Sequence, residues 1–301
     1  MKISKVFASS FLFLTLMGAN VNGQDSDTTG LPGDDFSLEG ALEMFKKASG
    51  PEAFEKLINA ENNKVNNLDL NEDGLTDYIK VINRKDKDVQ IFVLQAVVSE
   101  NEFQDIAVIE LEKTGAESAV LQIVGDEDIY GEETIVEPGD ESGNAYLDFT
   151  NSPEGLISGP SLATTSTDAI IVNVWAWPAV RFVYAPGYRL WVSPWAWSAR
   201  PIWWRPWRPA TRIAFAPVRY SYRRHYVIVP TRRVVHAPVI YRPVRVSSVT
   251  VRNRNQVAVT KYRSTTVTRG GHKVSRKSTT VTGPRGNSVK RTKTTVRRRR
   301  N

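Results

Sequence analysis

Oxygen-bearing side chains alternate along residues 69–77, DLNEDGLTD. Positions 1, 3, 5 and 9 of this stretch carry Asp or Asn, and Gly74 at position 6 permits a sharp turn. Calcium is a hard cation that takes about six to eight oxygen ligands, and a tight loop presents such ligands from alternate positions. The pattern therefore predicts a calcium site. Its ligands are the side chains of Asp69, Asn71, Asp73 and Asp77 and the backbone carbonyl of Leu75.

This stretch resembles the calcium loops of EF-hands, of dockerins and of the FG-GAP repeats of integrin-like propellers. An EF-hand has a bidentate Glu at position 12 and a helix after its loop, whereas this chain has Lys80 there and the strand-like YIKVI at 78–82. The resemblance is therefore to the FG-GAP type, in which the chain leaves along a strand and five protein ligands suffice. No second copy follows at blade spacing, so no propeller is expected. The alternative is an Asx-rich turn without an ion, because Asn, Asp and Gly all favour turns.

A second acidic stretch, GDEDIYGEE at 125–133, has its acids adjacent rather than alternate. Adjacent acids make a poor set of ligands on their own. The stretch is interpreted as a solvated hairpin tip, and the alternative is that it adds oxygens to the calcium site through space.

Five tryptophans, four prolines and three arginines fall within residues 194–209, PWAWSARPIWWRPWRP. Prolines exclude long helices and central strands, so the stretch is predicted to be extended. Trp favours the headgroup region of a membrane and Arg pairs with phosphate, while Trp and Arg also suit sugars and polyanions. Packing of the tryptophans in a core or on the sheet is the third interpretation. The predicted contact residues are Trp195, Trp197, Trp203, Trp204, Arg205, Trp207 and Arg208.

The charges of the chain divide into two halves. Residues 24–168 contain 32 acidic and 9 basic residues, whereas residues 169–301 contain 29 basic and no acidic residues. Such asymmetry indicates either a polyanionic partner or neutralisation of one half by the other. The expected partners are an anionic membrane surface, lipopolysaccharide or an acidic polysaccharide, with self-association as a further expectation. Sequence-specific binding of nucleic acid is not expected.

The N-terminus predicts export. Lys2 and Lys5 precede an apolar run from Val6 to Ala19, and Val21 and Gly23 are small enough to precede a cleavage site. Residues 1–23 are therefore predicted to be a signal peptide. The chain has no cysteine, which excludes disulfides and thiolate catalysis and favours a bacterial envelope over a eukaryotic secreted scaffold. The expected location is the periplasm, the outer membrane surface or the extracellular space.

The predicted fold class is α+β, with N-terminal helices packed on an antiparallel meander. Helical spacing of apolar residues begins after residue 36, and five Ile/Val-rich strands separated by short polar turns follow at 77–84, 89–98, 104–112, 119–125 and 133–138. A linker (24–33) precedes the acidic domain (34–150), and a second linker (151–168) follows it. A Trp/Arg/Pro-rich extended segment (169–250) and a disordered basic Ser/Thr/Arg tail (251–301) complete the chain.

Three stretches of the basic half alternate apolar with basic or hydroxyl residues. They are YVIVP (226–230), VVHAPVIYRPVRV (234–246) and SSVTVRNRNQVAVTKYR (247–263). Each is predicted to form an edge-type strand, with its charges acting against aggregation. Farther along, STTVT occurs at 264–268 and again at 278–282, and KTTV at 293–296.

No catalytic motif is found in the sequence. His225, His236 and His272 lie in the half that has no acid to orient them, and no GxSxG, HExxH or phosphate-binding glycine loop occurs. The predicted function is that of an exported, non-enzymatic, calcium-binding envelope protein that adheres to an anionic membrane or polyanion. One alternative is a structural, self-associating protein whose basic half neutralises its acidic domain. The other is a periplasmic enzyme or inhibitor.

The combination of DLNEDGLTD, VLQIVGDEDIYGEETIVEP (120–138) and the WVSPWAW and PIWWRPWRP stretches (191–197 and 201–209) carries a wider resemblance. On these residues the chain resembles a group of uncharacterised exported proteins from the Bacteroidota. That resemblance implies an envelope location. It implies no activity, so it assigns no functional residues.

Overall fold

The structure of the protein is a computed structural model that describes residues 31–139, 171–256, 259–269, 272–282 and 288–298. The predicted signal peptide, most of the first linker, the end of the acidic domain and the second linker lie outside the described residues. The described part contains helices and a six-stranded antiparallel sheet. The predicted α+β class with an antiparallel meander is therefore confirmed.

Six strands form the main sheet in the order of the chain. They are β1 (Ile79–Asp86), β2 (Val89–Val97), β3 (Phe103–Gly115), β4 (Ser118–Gly125), β5 (Thr134–Pro138) and β6 (Tyr226–Val229). Each strand pairs antiparallel with the next, so the five predicted strands form the meander that their short turns require. The stretch YVIVP was predicted to be an edge strand, and β6 is the edge strand that pairs with β5. This strand is contributed by the basic half.

Seven α-helices are described. They are α1 (Leu38–Lys47), α2 (Pro51–Ile58), α3 (Glu127–Tyr130), α4 (Pro178–Val183), α5 (Arg212–Tyr222), α6 (Ala237–Tyr241) and α7 (Val249–Gln256). Short 3-10 turns span Pro32–Asp35, Glu61–Asn63, Arg223–His225 and Arg242–Val244. Four of the α-helices belong to residues 171–256, so this region is not the purely extended segment that its prolines predicted. Proline is accepted in the first turn of a helix, where its missing N–H removes no bond, and α4 and α6 both begin in this way.

Local capping explains where two helices begin. The Ser37 side chain accepts a hydrogen bond from the Gly40 N–H at 2.9 Å and starts α1. The Ser248 hydroxyl accepts from the Val251 N–H at 3.1 Å at the start of α7. Capping thus converts part of 247–263, which alternation predicted to be a strand, into a helix. The strand predicted at 234–246 is wrong as well, because α6 and a 3-10 turn occupy it.

One face of the main sheet is covered by helices. α1 contacts α2, β4 and β5, and α2 contacts β1. The rings of Phe45 and Phe54 lie 5.2 Å apart, those of Phe45 and Phe92 lie 5.1 Å apart, and all three side chains are fully buried. Burial of each such ring contributes about 1.5–3 kcal/mol, so this cluster is the centre of the hydrophobic core. α4 extends it with Val180 and Val183.

The opposite face of the main sheet is covered by the basic half. Ile91 and Val93 of β2 and Val108 of β3 pack there against Val234 and Ala237. Buried polar side chains, among them Glu110 and Gln122, lie on the same face. The two faces therefore differ in composition, and the basic half contributes to both, through α4 on the helix-covered face.

The described parts of the basic tail form a second sheet. It contains β7 (Val259–Arg269), β8 (His272–Thr282) and β9 (Ser288–Arg298), paired antiparallel in that order. The prediction of disorder is not met in these three ranges. The three TTV repeats fall one in each strand, and Thr and Val are β-branched residues that favour strands.

The aspartate loop and the tryptophan loop

Residues 69–77, here called the aspartate loop, fold around their own side chains. The Asp69 carboxylate accepts hydrogen bonds from the backbone N–H groups of Asp73 at 3.1 Å and Gly74 at 2.9 Å. The Asn71 side-chain oxygen accepts from the same Asp73 N–H at 3.0 Å, and the Asp73 carboxylate accepts from the Leu75 N–H at 2.8 Å. Side-chain oxygens of Asp69 and Asn71 therefore both accept a hydrogen bond from the backbone N–H of Asp73. Gly74, with φ of 82°, supplies the sharp turn.

Asp77 ends the loop and is buried. Its carboxylate accepts from the Leu70 N–H at 2.7 Å. Burial raises the pKa of Asp77 well above its ordinary value, and the charges of Asp69 and Asp73 raise it further. Burial also raises the pKa of Asp69. The ionised forms of both carboxylates are therefore disfavoured, and a bound cation would relieve this.

Across the described ranges, no three His, Cys, Asp or Glu side chains are grouped as a metal site requires. Asp69, Asn71, Asp73 and Asp77 satisfy backbone N–H groups, as the alternative of an Asx-rich turn also predicts. The calcium site therefore remains a prediction.

Residues 194–209, here called the tryptophan loop, separate into a buried part and an exposed part. Trp204 is 3% exposed, and its ring lies edge-on to Tyr78 at 5.0 Å. Trp195, Trp197 and Trp207 surround it and are half-buried. Trp204 was predicted as a contact residue, but it is a core side chain, because it fills the space between Tyr78 and Val97.

The exposed part of the tryptophan loop is its tip. Ile202 is 90% exposed and Trp203 is 42% exposed. Arg205 and Arg208 follow and are exposed too. Arg205 donates to the backbone carbonyl of Trp204 at 3.1 Å, which fixes the arginine beside the tip. The tip thus presents two large apolar side chains next to two positive charges.

An arginine stacks within the tryptophan loop and approaches the aspartate loop. The guanidinium of Arg200 lies 4.7 Å from the centre of the Trp197 ring and 5.3 Å from that of Trp204. Such contacts stabilise by about 0.5–1 kcal/mol each at exposed sites. The charge of Arg200 also lowers the pKa of Asp77, which partly offsets the effect of burial.

Hydrogen bonds of backbone and side-chain groups join the two loops and the residues beside them. The Thr76 N–H donates to the Trp207 carbonyl at 2.8 Å, and the Trp207 N–H donates to the Thr76 hydroxyl at 3.2 Å. Asn67 and Ala210 form a similar pair, with bonds of 2.7 and 3.0 Å. The two motifs predicted separately from the sequence are therefore neighbours in the fold. No feature of the sequence predicted that Thr76 and Asn67 would join these two parts of the chain.

A buried carboxylate missed by the sequence analysis holds the same region together. Glu55 of α2 is 1% exposed. It accepts four hydrogen bonds, which come from the Tyr78 hydroxyl (2.6 Å), the Ser193 hydroxyl (2.8 Å), the Val81 N–H (2.9 Å) and the Trp191 indole N–H (3.1 Å). Burial raises the pKa of Glu55, while these bonds oppose the rise. The position next to Phe54 on the buried side of α2 is the signal that could have identified it.

The second acidic stretch connects β4 to β5, as a hairpin tip does, but it is solvated only in part, with Glu127 and Glu133 exposed. Asp126 is buried, caps α3 by accepting from the Asp128 N–H at 2.9 Å, and pairs with Arg245 at 2.7 Å. An imidazole–carboxylate contact across the two halves joins His236 and Asp86 at 2.6 Å, with both side chains well exposed. Within the described ranges, every helix is too short or too polar to span a bilayer.

No protein family model, curated protein or solved structure matches the chain. Its function is therefore inferred from its own residues and contacts.

Proposed function

We propose that this protein is an exported, non-enzymatic envelope protein that binds calcium in the aspartate loop and adheres through the tryptophan loop to an anionic surface. That surface is an anionic membrane, lipopolysaccharide or an acidic polysaccharide. The observation that carries the proposal is the exposed tip of Ile202 and Trp203 beside Arg205 and Arg208.

The chemistry of the tip suits an interface between water and an anionic layer. Trp is enriched in the headgroup region, where its ring is half in apolar and half in polar surroundings. Ile202 supplies apolar area, and Arg205 and Arg208 supply the positive charge that attracts phosphate or carboxylate. Trp204 anchors the loop in the core, so the tip is held in place when it meets the surface.

Calcium supports adhesion through charge. Asp69, Glu72, Asp73 and Asp77 give the aspartate loop four acidic side chains, whose negative charge repels an anionic surface. Because Thr76 is hydrogen-bonded to Trp207, these charges lie next to the tryptophan loop. A bound calcium ion would cancel part of them and hold the loop in one conformation. Adhesion is therefore expected to increase with calcium.

Sedimentation with lipid vesicles tests adhesion. The purified chain is expected to bind vesicles of phosphatidylglycerol more strongly than vesicles of phosphatidylcholine, and calcium is expected to strengthen this binding. Replacing both Ile202 and Trp203 by Ala removes the apolar tip and should weaken binding about tenfold or more. Ile213→Ala is the matched control, because Ile213 is 84% exposed outside the loop. Equal binding by the double variant and the control would overturn the proposal for this loop.

Calorimetry with calcium tests the aspartate loop separately. The chain is expected to release or absorb heat on calcium addition and to gain thermal stability, because a ligand that binds only the folded state stabilises it. Asp73→Ala should abolish both effects, whereas Asp86→Ala, at the end of β1, should leave them unchanged. A chain that shows no heat and no thermal shift has an Asx-rich turn there, and the calcium part of the proposal fails.

A second candidate function is favoured by ion pairs between the halves. Arg212 pairs with Asp35 at 2.9 Å, Arg223 with Glu39 at 3.3 Å, and Arg233 with Glu137 at 2.8 Å. These contacts support a structural protein whose basic half neutralises its acidic domain and which self-associates when charges remain unpaired. Salt-sensitive self-association in the absence of lipid, measured by analytical ultracentrifugation, would favour this candidate over adhesion.

A further inference from the structure

The second sheet, formed by β7, β8 and β9, is strongly basic. Each of its three strands has 11 residues. Together the strands contain eleven Lys or Arg residues, fourteen Ser or Thr residues and no Asp or Glu. The whole of the chain from residue 169 onward lacks acids. The second sheet therefore cannot neutralise its charge with its own residues.

The register divides this charge equally between the two faces of the second sheet. Successive residues of a strand belong to opposite faces, so one face contains Val274 and the other contains Val281. Lys261 lies at an irregularity of the register. The Val274 face contains Arg263, Arg269, Arg276, Lys290 and Arg298. The Val281 face contains Lys273, Lys277, Arg291, Lys293 and Arg297.

Two pairs of like charges are directly opposite each other in the register. Lys277 is opposite Lys293, and Lys273 is opposite Arg297. Like charges in such positions destabilise a pair of strands. A small sheet also requires a hydrophobic face or a packed helix for independent stability. A bound polyanion would replace the repulsion with attraction, so it would stabilise the second sheet.

The apolar content of the second sheet is small on both faces. Each face has one row of three Val residues. They are Val267, Val274 and Val296 on the Val274 face and Val259, Val281 and Val289 on the Val281 face. Because neither face is predominantly apolar, both faces call for a partner that carries negative charge.

The equal division of charge indicates the class of polyanion. A planar bilayer or a stiff nucleic-acid duplex meets one face of a sheet, whereas a flexible linear polymer can contact both. Single-stranded nucleic acid stacks its bases on aromatic residues, and Tyr262 is the one Phe, Trp or Tyr in these three strands. Ser and Thr hydroxyl groups both donate and accept hydrogen bonds, which suits the hydroxyl groups of sugars. These features favour a flexible acidic polysaccharide.

We propose that the second sheet binds a linear acidic polysaccharide, whose acidic groups lie against basic residues of both faces. The site is separate from the tryptophan loop, so the proposal does not rest on adhesion by that loop. Binding also stabilises β7, β8 and β9, because the acidic groups neutralise Lys277 and Lys293, which are opposite each other.

Calorimetry of the full chain with polygalacturonate tests the proposal. The chain is expected to bind this polymer, to lose affinity by about tenfold or more between about 50 and 200 mM salt, and to show no binding to neutral dextran. Amide hydrogen exchange in β7, β8 and β9 should slow when polygalacturonate is added. The double variant of Ile202→Ala and Trp203→Ala should keep most of its affinity for polygalacturonate, which distinguishes this site from the tip of the tryptophan loop.

Two double variants locate the site on both faces. Lys277→Gln with Lys293→Gln changes the Val281 face, and Arg263→Gln with Arg276→Gln changes the Val274 face. Each should weaken binding about tenfold, because each removes two positive charges. The first variant also removes a pair of opposed like charges, so without polymer its hydrogen exchange in β8 and β9 should be slower than in the unchanged chain. Damage to the sheet would instead make this exchange faster.

Arg189→Gln with Arg224→Gln is the matched control. Both arginines are exposed, belong to the basic half and lie outside the second sheet, so the control has the same change in net charge and should bind normally. Absence of binding to polygalacturonate would overturn the proposal, as would an equal loss of affinity in the control. A loss in the variant of one face alone would overturn it as well. So would tighter binding, per charged group, to a DNA duplex or to vesicles of phosphatidylglycerol.

Discussion

The two faces of the main sheet are built in different ways. On the helix-covered face, Phe45, Phe54 and Phe92 form an apolar core with α1 and α2. On the opposite face, a smaller apolar strip around Ile91 lies beside buried acids that arginines of the basic half neutralise. Apolar burial favours folding without any requirement for pairing, whereas a buried charge is tolerated only when its partner is in place.

The centre of the helix-covered face is formed by elements close in sequence, although α4 of the basic half extends it. Helices α1 and α2 and strands β1 and β2 lie within residues 38–97. By contrast, Arg245 and Asp126 are 119 positions apart and Glu137 and Arg233 are 96 apart. The comparison teaches that residues up to Gln256 are part of the fold of the acidic half. The arginines there that neutralise buried acids of the sheet are not available to bind an external partner.

The largest effect is expected on the apolar face. Phe92→Ala removes a fully buried ring in contact with Phe45, and it should lower the free energy of unfolding by about 3–5 kcal/mol. The loss should be the same at low and high salt, because no charge is involved. Chemical denaturation at two salt concentrations measures it. A loss that depends strongly on salt would contradict the assignment of this face as an apolar core.

A smaller loss is expected on the charged face. Arg245→Ala leaves the carboxylate of Asp126, which is 3% exposed, without its ion-pair partner. The free energy of unfolding should fall by about 2–3 kcal/mol. Arg252→Ala is the matched control, because Arg252 is 56% exposed and reaches Asp128 only at 3.5 Å. It should change stability by about 0.5 kcal/mol or less. Equal losses in the two variants would show that burial does not determine how much these ion pairs contribute to the free energy of unfolding.

The smallest of the three effects is a pH dependence to which the charged face contributes through Glu110. The pKa of Glu110 in the folded chain is about 7, above its ordinary value of 4.5, because of burial. The folded state therefore gains a proton between pH 8 and pH 6, whereas the unfolded chain does not. Acidification over this range should raise stability by about 1 kcal/mol through Glu110. The pKa of Asp105, raised by burial to about 6, adds to the change in the same direction.

Thermal unfolding at pH 8 and pH 6 checks this dependence. Glu110→Gln carries no titrating group, so it should show a smaller gain on acidification than the unchanged chain. Glu43 and Glu102 have lowered pKa values and stay ionised over this range, so they do not obscure the comparison. An identical gain in stability in Glu110→Gln would show that another group, rather than Glu110, causes the pH dependence.

Local pattern was enough to predict most of the sheet. Alternating Ile and Val marked β1 to β5, and YVIVP marked β6, because period-2 alternation reflects the two sides of a strand. The same signal failed at 234–246 and 247–256, where proline at a helix start and the Ser248 cap form helices instead. Alternation alone does not distinguish these cases, because capping depends on one or two side chains rather than on periodicity.

The sequence by itself determined strands β1 to β6 and the first two helices, the separation of charge and the composition of the two loops. Only the tertiary structure decided that Trp204 is buried while its neighbour Trp203 is exposed, and that Thr76 joins the aspartate loop to Trp207. It also decided which of many acids are buried and which arginine reaches each one. The physical reason is that composition and periodicity describe a residue and its near neighbours, whereas burial and pairing depend on groups about a hundred positions away that only the folded sheet brings into contact.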